Sequence, residues 1–240
     1  MQDPNQRFDI YALIHKALRA QMSHVLLEAG RTDWDDASER DAALSAVRQL
    51  LGMCHGHLEH EDTYLHPAID AAEPGGRRLA DSDHGRHLGA METLYDLAEV
   101  VERATPSLRR QTGERLYREL ALFVADNFEH MAFEEREHNR LLWMAYSDAE
   151  IHRIHGELVG SIPPAQMMET LRWMVPYSNA QQRTELLGGM LDAAPPGAFN
   201  AVMSMLQGTL RSQDMDKLTR SLLSRRAGEA QPIHPQAMPA

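Results

Sequence analysis

The chain is short of four things, and each shortage excludes something. It has one cysteine, Cys54, so no disulfide can close within it, and a reducing compartment is expected. Aromatic residues make up only 6% against 43% hydrophobic residues and 14 methionines, and long stretches lack glycine and proline. That profile is globular and all-helical, not disordered. No apolar run approaches the roughly 20 residues of a membrane span. The opening MQDPNQRFDI has neither the basic end nor the apolar core of a signal peptide, so a cytoplasmic address without membrane contact is expected. Positive charge is scarce too: the net charge of −11 argues against nucleic acid as a partner. Histidine is what the chain has in quantity. Thirteen are present, and histidine is the commonest metal ligand, so their placement decides the reading.

Four long helices are expected before residue 147, which apolar residues alternately three and four apart make visible. The first, about Arg7 to Ala29, has the seam Phe8, Tyr11, His15, Leu18, Met22, Val25, Ala29. After the polar loop GRTDWDDASER, the second has Ala43, Val47, Leu50, Cys54, His57, Glu61 and Tyr64 in line. Pro67 disfavours helix at His66, so this helix should stop or kink near Leu65. The third is expected to start at a cap on Asp81 or Ser82, with the stripe His84, Leu88, Met91, Tyr95, Ala98, Val101. The fourth, capped by Ser107, runs to about Met144 through Leu116, Leu120, Phe123, Asn127, His130, Glu134, Glu137 and Leu141. Short first and third connections predict an antiparallel up-down-up-down four-helix bundle over residues 1–146. A smaller helical extension is expected over 147–224, with capping boxes Ser147/Glu150 and Ser178/Gln181. Within it, IPPAQMMETLRWM and APPGAFNAVMSML look like copies of one unit offset by 32 residues, and this region offers a surface for a protein partner or self-association. Residues 225–240 read as a disordered tail.

Polar residues interrupt these seams in a pattern. His57 and Glu61 sit one turn apart and continue the second seam, whereas His55, Glu59 and Asp62 fall off it and should be solvated. His130 and Glu134 repeat the pair on the fourth helix, and His15 and His84 stand alone on the first and third. Counted at about 1.5 Å per residue, all six fall in one layer of the bundle. Buried carboxylates beside neutral imidazoles are costly without a cation, and the seams offer almost no lysine or arginine. A metal fits: imidazole with carboxylate suits iron, zinc, copper or manganese, and six donors suit two ions better than one tetrahedral zinc.

The residues His15 in YALIHKALRA, His57 and Glu61 in HLEHEDTYLHP, His84 in SDHGRHL, and His130 and Glu134 in HMAFEE resemble the hemerythrin-like family of HHE cation-binding domains, over about residues 8 to 146. The resemblance implies an antiparallel bundle holding two non-haem iron ions with an oxo or hydroxo bridge. It implies dioxygen, peroxide or nitric oxide as the small ligand, in an oxygen or redox response. An iron-sensing regulatory module without turnover is the alternative. Oxygen-carrying relatives place a second histidine a turn after the third-helix ligand; here Leu88 stands there and His87 one residue earlier. They also carry His-x-x-x-x-Asp on the fourth helix, where this chain has His-x-x-x-Glu. Fewer histidines imply either an additional open position or one filled by water or another carboxylate; an open position favours reaction over simple carriage. His60, Glu137 and His138 border the expected site, and Cys54 reads as a buried structural thiol.

Overall fold

A computed structural model describes residues 7–229. Among these the chain forms eleven α-helices, two short π-helical segments and no strand. It divides into two compact units, residues 1–170 and 171–240. Helices of the first are α1 (Ala12–Arg31), α2 (Ala37–His60), α3 (His66–Ala72), α4 (Arg78–Arg103), α5 (Arg109–Phe133), α6 (Asn139–Ala145) and α7 (Asp148–Ser161). The division falls inside α8 (Pro164–Tyr177), and α9 (Ala180–Ala193), α10 (Pro196–Thr209) and α11 (Ser212–Glu229) follow.

The long helices α1, α2, α4 and α5 each bury one stripe. α1 packs on α2 and α5, and α4 packs on the same two, so the four close a ring around one core. Leu18, Val47, Leu50, Leu94, Leu116 and Leu120 are all buried there. Each such side chain contributes on the order of 2 kcal/mol by leaving water. The polar loop before α2 adds an unexpected core residue: Trp34 lies flat over Gly113, where a Cβ would collide with the indole.

A second apolar cluster, built from Ile10, Tyr11, Leu65, Ile69, Leu141, Leu142, Ile151 and Ile154, caps one end. It joins α3, α6 and α7 to the start of α1. Arg7 ties this cap together, pairing with Asp148 at 2.6 Å and donating to the carbonyls of Trp143 and Tyr146. The polar seam residues lie between the two clusters.

Several expectations need correction, beginning with the Ser107 cap: Leu108 precedes α5, with no side-chain cap. On α4 the buried stripe is His84, His87, Met91, Leu94, Ala98, Val101; Leu88 and Tyr95 are each 39% exposed. Apolar character misled there, because the position facing the core is occupied by a histidine. α4 also starts earlier, at Arg78 behind Arg77, and Asp81 instead accepts from His66. The stop or kink expected near Leu65 is an interruption, not an end: α2 gives way to a π-turn over Glu61–Leu65 that leads into α3, and the His66 N–H donates to the Glu61 carbonyl. Pro67 thereby falls in the first turn of α3, where proline is tolerated. The box expected on Ser178 is made by Asn179 with Gln182, while the Ser178 hydroxyl donates to the Met174 carbonyl. Ser147 and Glu150 do form their box.

In the second unit α9 packs against α10 and α11. Its core includes Leu187, Val202, Leu206 and Leu218, with a buried Arg183–Asp214 pair at 3.1 Å. The repeat is visible in the element bounds: α8 and α10 are both 14 residues long, and α9 and α11 begin at Ala180 and Ser212. α11 extends to Glu229, into the segment expected to be a tail, with Arg225 paired to Asp192 at 2.6 Å. The rest of that expected tail, 230–240, lies outside the described residues. Among those described, no helix is long and apolar enough to cross a membrane.

Candidate metal centre

His15 on α1, His57 at the end of α2, His84 near the start of α4 and His130 near the end of α5 point into one layer, with Glu61 and Glu134 between them. Glu61 and Glu134 open the two π-helical segments, Glu61–Leu65 and Glu134–His138. Both carboxylates are buried, Glu61 at 1% and Glu134 at 0% exposure. Glu61 turns Oε1 toward Nε2 of His57 (3.2 Å) and of His15 (3.7 Å), and Oε2 toward Nε2 of His84 (3.4 Å). Glu134 turns Oε2 toward Nε2 of His130 (3.3 Å) and of His15 (3.6 Å), and Oε1 toward Nε2 of His84 (3.9 Å). Donor atoms of His15, His57, Glu61 and Glu134 lie within 4.8 Å of one another, and so do those of Glu61, His84, His130 and Glu134. The two groups share both carboxylates.

The shorter of these distances, 3.2–3.4 Å, match the spacing of two ligands on one cation. Two ligands 2.0–2.1 Å from one ion stand about 2.9–3.4 Å apart at octahedral or tetrahedral angles. Nε2 of His84 and of His130 are 3.1 Å apart and face each other. All four carboxylate oxygens, and Nε2 of His15 and His57, have no hydrogen-bond partner. Leaving such buried groups unsatisfied costs about 1–3 kcal/mol each.

A shell of acids fixes the rings. Nδ1 of His15 donates to Glu135 (3.1 Å), Nδ1 of His84 to Asp62 (2.8 Å) and Nδ1 of His130 to Asp83 (3.3 Å). A proton on Nδ1 leaves the Nε2 lone pair facing the centre, the arrangement of metal-bound histidines. Arg19 and Arg86 hold Glu135 and Asp83 in turn.

Protonation follows from burial and neighbours. Burial pushes His57 down to about 4 and His130 down to about 2, so both rings are neutral at pH 7. Burial also opposes charge on His15 and His84, but the carboxylates beside them, Glu135 and Glu61 respectively, outweigh it and raise both. Burial opposes ionisation of Glu61 as well, yet His57, His15 and His84 hold its carboxyl well below the usual range. Glu134 is held well above that range by burial first and then by the charge of Glu61. Without a cation the pair therefore carries one charge; a bound cation favours both ionised.

The model of the hemerythrin HHE cation-binding domain matches residues 8–142, more than half of the chain. The chain belongs to the hemerythrin HHE family. No curated protein and no solved structure matches it. The HHE domain binds metal cations, and the described residues hold a His/Glu cluster that could take them.

Around this HHE cluster the structure separates the remaining candidates. His87 is buried, but its Nε2 turns to Asp126 at 3.0 Å and it joins none of the donor groups among the described residues. Glu137 is half exposed and pairs with Arg140. His60 also lies outside the groups. Cys54 is a buried free thiol that burial pushes up to about 12, far from reactive. His55 and Glu59 are exposed as expected; Asp62 is half exposed yet serves His84, which corrects its reading as merely solvated. The orienting acids Asp62, Asp81, Asp83 and Glu135 carry no periodic signal in the sequence. Two further buried histidines, His66 and His138, also adjoin the cluster.

Proposed function

We propose that this HHE chain is a cytoplasmic non-haem di-iron protein that binds or reacts with dioxygen, peroxide or nitric oxide in oxygen or redox response. The four long helices are read as the antiparallel bundle of that family. In this reading His15 and His57 are terminal ligands of one ion, His84 and His130 of the other, and Glu61 and Glu134 bridge them. The observation that carries it is the pair of buried carboxylates, each lying against histidines of both groups with no oxygen satisfied by hydrogen bonding. Imidazole with carboxylate suits iron, and an iron pair supplies the electrons for chemistry on a small oxidant.

The chain's own residues set the rest. Glu135, Asp62 and Asp83 hold the imidazole rings in the ligand tautomer. Tyr11, fully buried, keeps its phenol protonated, because burial and then Glu134 raise its pKa well above the usual value. The apolar cap around Leu65, Ile69 and Leu142 restricts water. The test is anaerobic loading of metal-stripped protein with ferrous iron, then exposure to oxygen, peroxide or nitric oxide. Two irons per chain and a charge-transfer spectrum that responds to one of these ligands are expected. Protein that takes up no iron, or whose iron spectrum ignores all three, overturns the proposal.

A further inference from the structure

His66 and His138 belong to none of the six positions discussed above, yet both side chains are completely buried. Two π-turns put them there. At α-helical spacing Glu61 would be followed on its face by residues 64 and 65; the wider turn brings residue 66 round instead. The segment opened by Glu134 likewise closes on His138, while Glu137 stays half exposed.

His66 is oriented as a ligand is. Its Nδ1 lies 2.9 Å from Asp81 and 3.0 Å from Oδ1 of Asp62. That same Asp62 oxygen receives Nδ1 of His84 at 2.8 Å, so one carboxylate sets two neighbouring rings in the same sense. The ring centroids of His66 and His84 are 4.8 Å apart with planes 22° from parallel. Nε2 of His66 then keeps its lone pair, is buried, and has no partner. His138 also keeps a nitrogen without a partner: Nδ1 is 3.2 Å from the Tyr11 hydroxyl, which can donate or accept, and 3.7 Å from Oε1 of Glu134, while Nε2 is buried and unpartnered. One nitrogen of each ring and an oxygen of Glu134 lie within 4.8 Å of one another.

We propose that His66, His138 and Glu134 form a third cation position beside the pair, suited to a divalent transition metal such as zinc or cobalt. Three protein donors leave a fourth position open, as in zinc sites that are not purely structural. This rests on the reading of the centre as metal-binding, and the experiment separates the two. The full chain is stripped with chelator and dialysed to equilibrium against micromolar Zn2+, and bound metal per folded chain is quantified. The wild type should hold three equivalents and the His66→Leu/His138→Leu variant two. Two equivalents in both, or three in both, overturn the third position while the two-ion centre stands; no bound metal in the wild type overturns both. Circular dichroism establishes that the variant is folded. Should it not fold, the wild-type count decides, repeated with His66→Gln and His138→Gln singly, each of which must lose the third equivalent. A Co2+ titration supplies an independent readout, in which a third visible-band increment is present in the wild type and lost with either histidine.

Discussion

Replacing Glu134 by leucine should have opposite effects on the metal-free and metal-loaded protein. Both oxygens of Glu134 are buried and unpartnered, and burial already holds the carboxyl well above its usual range. Removing unsatisfied buried polar groups gains about 1–3 kcal/mol each, and leucine has similar bulk. For a chain of this length 1 kcal/mol moves Tm by about 2–4 °C, so metal-free Glu134→Leu should melt on the order of 5 °C higher. With metal the sign reverses. An ion present at about 1,000 times its Kd stabilises the folded chain by about 4 kcal/mol, or roughly 8–16 °C. The variant loses the carboxylate shared by both donor groups and with it most of that gain. Thermal melts followed by circular dichroism, with chelator and with excess Co2+, measure all four values. A variant that melts lower than wild type in chelator and still gains the full increment with metal refutes the reasoning.

Glu135→Gln leaves the six proposed ligands in place but weakens the acceptor on His15 Nδ1; loss of such an orienting carboxylate lowers metal affinity by about 10–100-fold, read by competition with a chromogenic chelator. The same carboxyl governs acid stability. Burial opposes its charge, but hydrogen bonds from His15 and Arg19 pull it from 4.5 to about 2. A depressed folded value means the stabilisation is present above pH 4.5 and lost as pH falls toward 2. The Tm gap between metal-free wild type and Glu135→Gln should therefore shrink over that window; a gap independent of pH contradicts it. Gly113→Ala should cost about 1–3 kcal/mol, because the new methyl group meets the Trp34 indole, and an unchanged Tm would remove Trp34 from the core.

The seams of α1, α2 and α5 were legible because their buried positions are apolar at heptad spacing, and the polar residues that interrupt them stand out against that background. The structure brings the donor atoms of His15, His57, Glu61, His84, His130 and Glu134 together. On α4 the same reasoning chose Leu88 over His87, since hydrophobicity cannot tell that a histidine faces the core and a leucine the solvent. His138 was read only as bordering the site, and His66 escaped altogether, for a different reason. A pattern search assumes 3.6 residues per turn, and a π-turn adds one residue without any compositional mark. Pro67 pointed to a stop or kink near Leu65 without revealing that the interruption is such a turn. The acids that orient the rings come from neighbouring helices or adjacent turns, so only tertiary packing reveals them. Trp34 was hidden inside a loop whose composition is otherwise polar.

The most direct test of the central claim is metal content together with the optical spectrum of the full chain after anaerobic ferrous loading and oxidation. Two irons bound at the six-residue cluster, with the absorption of an oxo- or hydroxo-bridged ferric pair that is lost in Glu61→Ala and Glu134→Ala, is the predicted result. A folded chain that binds zinc tightly, excludes iron and shows no iron-dependent spectrum would contradict it.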